Sequence, residues 1–101
     1  KIVDDELFYV PNAFTPNGDG LNDVFYPIIT EGLDVLDYQL RIFNRWGELI
    51  FVSSEYQLGW DGTYKGAICQ DGIYTWNIEI KSFKDAEKKQ HMGQVILFSG
   101  R

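Results

Sequence analysis

Between Gly72 and Ser82 the chain alternates almost without a break. Tyr74, Trp76, Ile78 and Ile80 fall on one parity, and Thr75, Asn77, Glu79 and Lys81 on the other. A period of two marks a strand with one buried and one wet face, and a helix cannot satisfy it. A single half-buried strand is not stable alone, so the rest of the chain must supply its neighbours. Tyr38, Leu40 and Ile42 repeat the pattern, and Leu49-Ile50-Phe51-Val52 follows across Arg45-Trp46-Gly47-Glu48. These two runs read as a β-hairpin, with Gly47 taking the positive φ that the turn requires. Leu7-Phe8-Tyr9-Val10 is a further β-prone run, stopped by Pro11-Asn12, and Gly93 through Phe98 reads as a closing strand. Lys84 to Lys89 reads as a polar hairpin tip, and Trp60-Asp61-Gly62 and Gln70-Asp71-Gly72 as turns. The one stretch to weigh as a helix, residues 31–37, is weakened by Gly32. Short strands with turns about every ten residues predict an all-β, antiparallel β-sandwich formed by residues 1–101 as one domain. Leu40, Ile42, Tyr74, Trp76, Ile78 and Leu97 are its expected core.

Charge narrows the function. The 101 residues carry a net charge of −6, which removes the basic footprint that nucleic-acid binding needs. An anionic membrane surface would repel such a chain, and no apolar run is long enough to span a bilayer. The acid is uneven: residues 1–37 hold eight acids against Lys1 alone, and the remainder seven acids against eight bases. A solvated acidic face and a hard-cation site are the two readings of that imbalance. There is neither an initiator Met nor a signal peptide, so Lys1 reads as the start of an excised fragment whose parent protein's targeting sequence would lie upstream.

No enzyme assembles from these residues. Cys69 is the only cysteine and His91 the only histidine, so no internal disulfide and no zinc site is available. A catalytic Cys–His pair needs hydrogen-bond contact, and His91 is expected to face solvent beside the polar tip. Among fifteen acids nothing singles out the two a glycosidase needs. The one stretch with metal-like spacing is Thr15-Pro16-Asn17-Gly18-Asp19-Gly20-Leu21-Asn22-Asp23. Counting from Thr15, Asn17, Asp19, the Leu21 carbonyl and Asp23 take the third, fifth, seventh and ninth positions of a calcium loop, with Gly20 at the sixth. Thr15 and Tyr26 stand where the outermost acids should be, so the set falls short of six to eight oxygens. The favoured reading is a turn held by Asx hydrogen bonds, with no cofactor required and any calcium bound weakly. Trp46, Trp60 and Trp76 could form a sugar-stacking platform. The parity of Trp76 puts it in the core, and Trp46 and Trp60, next to turns, are expected to cap the ends of the sandwich.

Together these segments resemble the gliding-motility-associated C-terminal domain, the type B sorting domain of the Bacteroidetes type IX secretion system. Asn12-Ala13-Phe14-Thr15-Pro16-Asn17-Gly18-Asp19-Gly20-Leu21-Asn22-Asp23-Val24-Phe25 is similar to its opening signature. Ile42-Phe43-Asn44-Arg45-Trp46-Gly47 resembles the second. Trp60-Asp61-Gly62 and Asp71-Gly72-Ile73-Tyr74-Thr75-Trp76 resemble the third and fourth. Gly93-Gln94-Val95-Ile96-Leu97, with Arg101 behind it, resembles the final strand. Gln70 and Ile96 depart from the family's usual Pro and Thr, and the tail Ser99-Gly100-Arg101 from its usual ending. The resemblance implies an immunoglobulin-like sandwich that acts as the export address of an N-terminal passenger. It implies recognition in the periplasm by the outer-membrane translocon and an accessory outer-membrane protein, with delivery to the cell surface or the medium. The alternative is an adhesion or carbohydrate-binding sandwich retained on a surface protein.

Overall fold

The computed structural model describes residues 2–4, 8–16, 18, 23–29, 35–56, 58–82 and 88–98. Its organising element is β9 (Gly72–Ser82), the strand that alternates most regularly in sequence. One neighbour is β5 (Val35–Phe43), which pairs antiparallel with it from Val35↔Ser82 to Phe43↔Thr75. The other is β10 (Lys89–Leu97), antiparallel from Lys89↔Ile80 to Leu97↔Gly72. β6 (Leu49–Ser53) extends the sheet beyond β5, and β3 (Ala13–Phe14) completes it beyond β10, in the order β3-β10-β9-β5-β6. A second sheet holds β1 (Ile2–Asp4), β2 (Phe8–Tyr9) and β4 (Ile28–Ile29). A small hairpin, β7 (Thr63–Tyr64) and β8 (Ala67–Ile68), stands apart from both. The fold is an all-β sandwich.

Pairing is antiparallel everywhere among the described residues except at one edge, where β3 lies parallel to β10. A parallel neighbour cannot be joined by a tight turn, so the partners come from opposite ends of the chain. The Ile96 amide donates to the Asn12 carbonyl and the Phe98 amide to the Phe14 carbonyl. Of the stretch weighed as a helix, Val35 to Asp37 is strand, and residues 31–34 lie outside the described residues.

All six expected core residues are buried. Leu40, Ile42, Trp76, Ile78 and Leu97 share the inner face of the five-stranded sheet with Val95 and Ile80. Trp76 faces Gly93 across the ladder, and its ring lies flat against that glycine, so a methyl group built there would overlap the indole. At one end of the core the rings stack in series. Phe14 meets Phe25 at 5.9 Å and Trp60 at 5.3 Å, and Trp60 meets Tyr74 edge-on at 5.0 Å. Tilted and edge-on rings bury large apolar areas while matching positive edges to negative faces.

Three expectations change. β10 begins at Lys89, not Gly93, because its ladder with β9 continues through the polar residues Lys89, Gln90 and His91. His91 therefore pairs with Ile78 and is half-buried, where a solvent-facing side chain was expected. Trp46 caps nothing: it is 78% exposed, because it sits on a turn that projects beyond the last β5–β6 pair, Phe43↔Leu49.

Candidate functional site

The signature residues divide into a buried set and a presented set. Phe14, Phe25, Trp60, Gly62 and Tyr74 are buried. Phe25 and Trp60 exchange both backbone hydrogen bonds, at 2.7 and 2.9 Å, which staples the chain before β4 to the turn before β7. The Trp60 Nε1 donates to the Thr63 carbonyl at 3.0 Å, so its one polar atom is satisfied inside the core. Asp61 is exposed, and its Oδ1 accepts from the Thr63 amide and hydroxyl, at 3.0 and 2.6 Å, closing an Asx turn. The Tyr74 hydroxyl donates to the Gln70 carbonyl at 2.7 Å, tying the turn around the exposed Asp71 to the start of β9 at Gly72. A tyrosine latched to upstream backbone in this way occurs in immunoglobulin-like sandwiches.

The opening signature is partly visible. Asn12 is exposed and Pro16 half-buried. Asn17, Asp19, Gly20, Leu21 and Asn22 lie outside the described residues, and with them three of the four candidate calcium ligands. The fourth, Asp23, accepts from the Gly18 amide at 3.0 Å through Oδ1. Gly18 has φ +81°. That hydrogen bond spans the loop and is what a turn held by its own side chain requires. Among the described residues no three acids, cysteines or histidines gather as a metal would need.

Asn44-Arg45-Trp46-Gly47-Glu48 is the presented set. Asn44 Oδ1 accepts from the amides of Trp46 and Glu48, at 2.9 and 3.0 Å, and its Nδ2 donates to Glu48 Oε1 at 2.9 Å. The Gly47 amide donates to the Asn44 carbonyl, and Gly47 has φ +81°, as the sequence predicts. One asparagine thus fixes the turn, and the turn holds its two large side chains out in solvent. The Arg45 guanidinium stands 5.0 Å from the centre of the Trp46 ring, a cation–π distance. Beneath Trp46 is a cavity of about 190 Å³, lined by Ile50, Tyr64, Cys69 and Tyr74 among others. Burial pushes the Cys69 thiol up, against a hydrogen bond with Tyr74 that lowers it, and nearby Asp61 raises it further. Such a thiol resists becoming a nucleophilic thiolate. His91 is not within reach of it. Cys69 lies at the Gly72↔Leu97 end of the ladder, and His91 is six strand positions away, roughly 20 Å.

The β7–β8 hairpin escaped the sequence reading. Its signal was Lys65-Gly66, both at positive φ, between two β-prone pairs. The exposed apolar residues of the outer sheet face, Ile73, Met92 and Ile96, were also missed. They betray themselves because β10 is apolar on both parities near its end, the pattern of a strand covered on both faces.

No helix among the described residues is long and apolar enough to cross a membrane. No curated protein and no solved structure matches the chain. The family model of the CHU_C type IX secretion signal domain matches residues 8–97, from β2 to the last residue of β10. Such a domain engages the type IX secretion system and is attached to the passenger that it sends across the outer membrane, to the cell surface or the medium. With nearly its whole length matched, this chain belongs to the type IX secretion signal domain family and serves as a sorting signal for export.

Proposed function

We propose that the domain is read as a folded object, in the periplasm, by the outer-membrane translocon and an accessory outer-membrane protein, and that it performs no chemistry itself. The carrying observation is the placement of the signature residues. Phe14, Phe25 and Trp60 are inside the core, where no partner can touch them without unfolding the domain. Their role in a signal is then to build a shape, and recognition falls to what that shape presents. The 15–23 loop belongs to the building set. Asp23 accepts from the Gly18 amide, which supports the reading of a turn that needs no calcium.

The test is export of a reporter passenger fused ahead of the domain in a cell with a working type IX system. The intact domain should deliver the reporter to the outside. The Trp76→Ala fusion, whose domain loses its core, should leave it in the periplasm. Equal export of the unfolded domain would mean that a linear segment is read, and would sink the folded-signal reading.

A further inference from the structure

We infer that the export machinery docks on the Asn44–Glu48 turn, through Trp46, Arg45 and the apolar end of the outer sheet face beside them. The inference rests on the secretion reading above and says which surface is read.

The turn is hydrogen-bonded within itself, and its largest side chain lies outside the core. Asn44 Oδ1 accepts from two backbone amides of the turn and its Nδ2 donates to the Glu48 carboxylate, while the Trp46 indole is 78% exposed. An exposed indole on a backbone already fixed costs less ordering on binding than one on a free loop, so more of its burial in a partner translates into affinity. Next to it the outer face is open. A depression of about 560 Å³ runs across β5, β9 and β10, lined by Phe43, Ile73, Thr75 and Met92. Among the described residues Arg45 is the only charged one at its wall, in a chain of net charge −6. Leu49 and Ile96, both exposed, continue the apolar surface on the same parity. The other end of that face is closed by charge: Arg41 and Glu79 pair at 2.7 Å, and Lys88 stands 3.7 Å from Asp37.

The occupant that fits is a protein surface carrying a carboxylate opposite Arg45 and an apolar side chain for the depression. Trp, Arg and Met are the residues enriched at the centres of protein interfaces, and a cation beside neutral polar and apolar groups selects an acidic group. A polysaccharide is the competing occupant, because Asn44, Arg45 and Gln94 are planar polar groups at the same wall, and the export role of the domain is what favours a protein.

The experiment uses the passenger–domain fusion in the secreting cell, with three variants: Trp46→Ala, Arg45→Glu and Met92→Glu. Leu58→Ala, an apolar site on the loop between β6 and β7 about as exposed as Met92, is the control. Exported fraction and the melting temperature of each purified fusion are measured together. The expected result is a loss of export of about tenfold or more in Trp46→Ala and Arg45→Glu, the size of a lost hot spot, with Tm unchanged and Leu58→Ala exporting normally. Three results would overturn it. Normal export of the variants, with export abolished on removal of the whole domain, leaves the secretion reading standing and moves the docking surface elsewhere. A fall in Tm that parallels the loss in all three variants makes the turn a folding element. Normal export coupled to loss of binding to purified surface polysaccharide assigns the turn to a sugar. Export that survives removal of the whole domain would instead sink the secretion reading itself.

Discussion

Trp46 and Trp60 occupy almost the same sequence setting, a tryptophan followed within two residues by a turn glycine, yet one is 78% exposed and the other 0%. The difference lies in what their backbones do. Trp60 is bridged on both hydrogen bonds to Phe25, which commits its side chain to the interior, where it meets Phe14 and Tyr74. The Trp46 amide is held by the Asn44 side chain within its own turn, beyond the end of the ladder, so no sheet face claims its indole. Long-range pairing buries a tryptophan; a self-contained turn displays one. In an export signal the two jobs are complementary, since one motif makes the domain fold and the other gives it a face.

The sharpest way to break that comparison is to truncate each indole. Trp60→Ala should cost about 3–5 kcal/mol in denaturant unfolding, the range for deleting a buried aromatic, and the melt should broaden or vanish. Trp46→Ala should stay within about 0.5 kcal/mol of the parent, as exposed substitutions do. Equal losses at the two sites would erase the distinction between building and display.

The glycines sharpen it further, because they are needed for different reasons. Gly93→Val thrusts a side chain into the Trp76 ring, and overpacking of this kind costs about 1–3 kcal/mol. Gly47→Val meets no neighbour, so its penalty comes only from the positive φ, about 1–2 kcal/mol. The variants should therefore differ in spectroscopy. Near-ultraviolet dichroism of the buried indole should change in Gly93→Val and hold in Gly47→Val. A Gly47→Asn variant should recover most of the loss, since Asn tolerates the left-handed region.

Legibility in the sequence followed the same division. β9 was readable to the residue, Gly72 to Ser82, because burial of one face imposes alternation on the chain. The start of β10 was not, because Lys89, Gln90 and His91 join the ladder through backbone hydrogen bonds, which leave no mark on side-chain polarity. β7 and β8, two residues each, are too short to show any period. The parallel placement of β3 on β10 is a contact between residues more than eighty positions apart, and no local pattern encodes it. Within the candidate surface, the Gly47 turn was legible from its own chemistry. The exposure of Trp46 was not, since whether an indole finds a core depends on partners elsewhere in the chain.

A smaller effect is expected at the opening loop. Asp23 receives the Gly18 amide in an exposed hydrogen bond, so Asp23→Ala should cost about 0.5–1.5 kcal/mol, with or without chelator. A melting temperature that rises by many degrees in millimolar calcium, only while Asp23 is intact, would turn this structural loop into a metal site. A weak calcium site of about 0.1–1 mM could add no more than about 1.4 kcal/mol at millimolar calcium, so the two outcomes are easily separated.

The smallest effect at neutral pH should be at Tyr38, and it separates the interior from the displayed face by titration. Its hydroxyl is buried with no hydrogen-bond partner among the described residues, and its ring meets Tyr56 edge-on at 5.9 Å. Burial pushes its phenol far above the usual value near 10, and the neighbouring Tyr56 adds to the rise. The folded state thus holds the Tyr38 proton at a pH where the unfolded chain releases it. With the folded value raised, the contribution to stability is complete below about pH 10 and is lost as pH climbs from there toward the folded value. Tyr74, raised mainly by burial, acts in the same direction. Alkaline unfolding should therefore begin near pH 10 and be shallower in Tyr38→Phe, while at pH 7 the same variant should be neutral or slightly stabilising, because it removes a buried hydroxyl with no partner among the described residues. Absorbance at the phenolate band should show Tyr38 ionising only as the domain unfolds. A Tyr38 that titrates reversibly in the folded domain near pH 10 would mean that water reaches the inner face of the sheet, and the contrast between a sealed interior and a single displayed turn would fail.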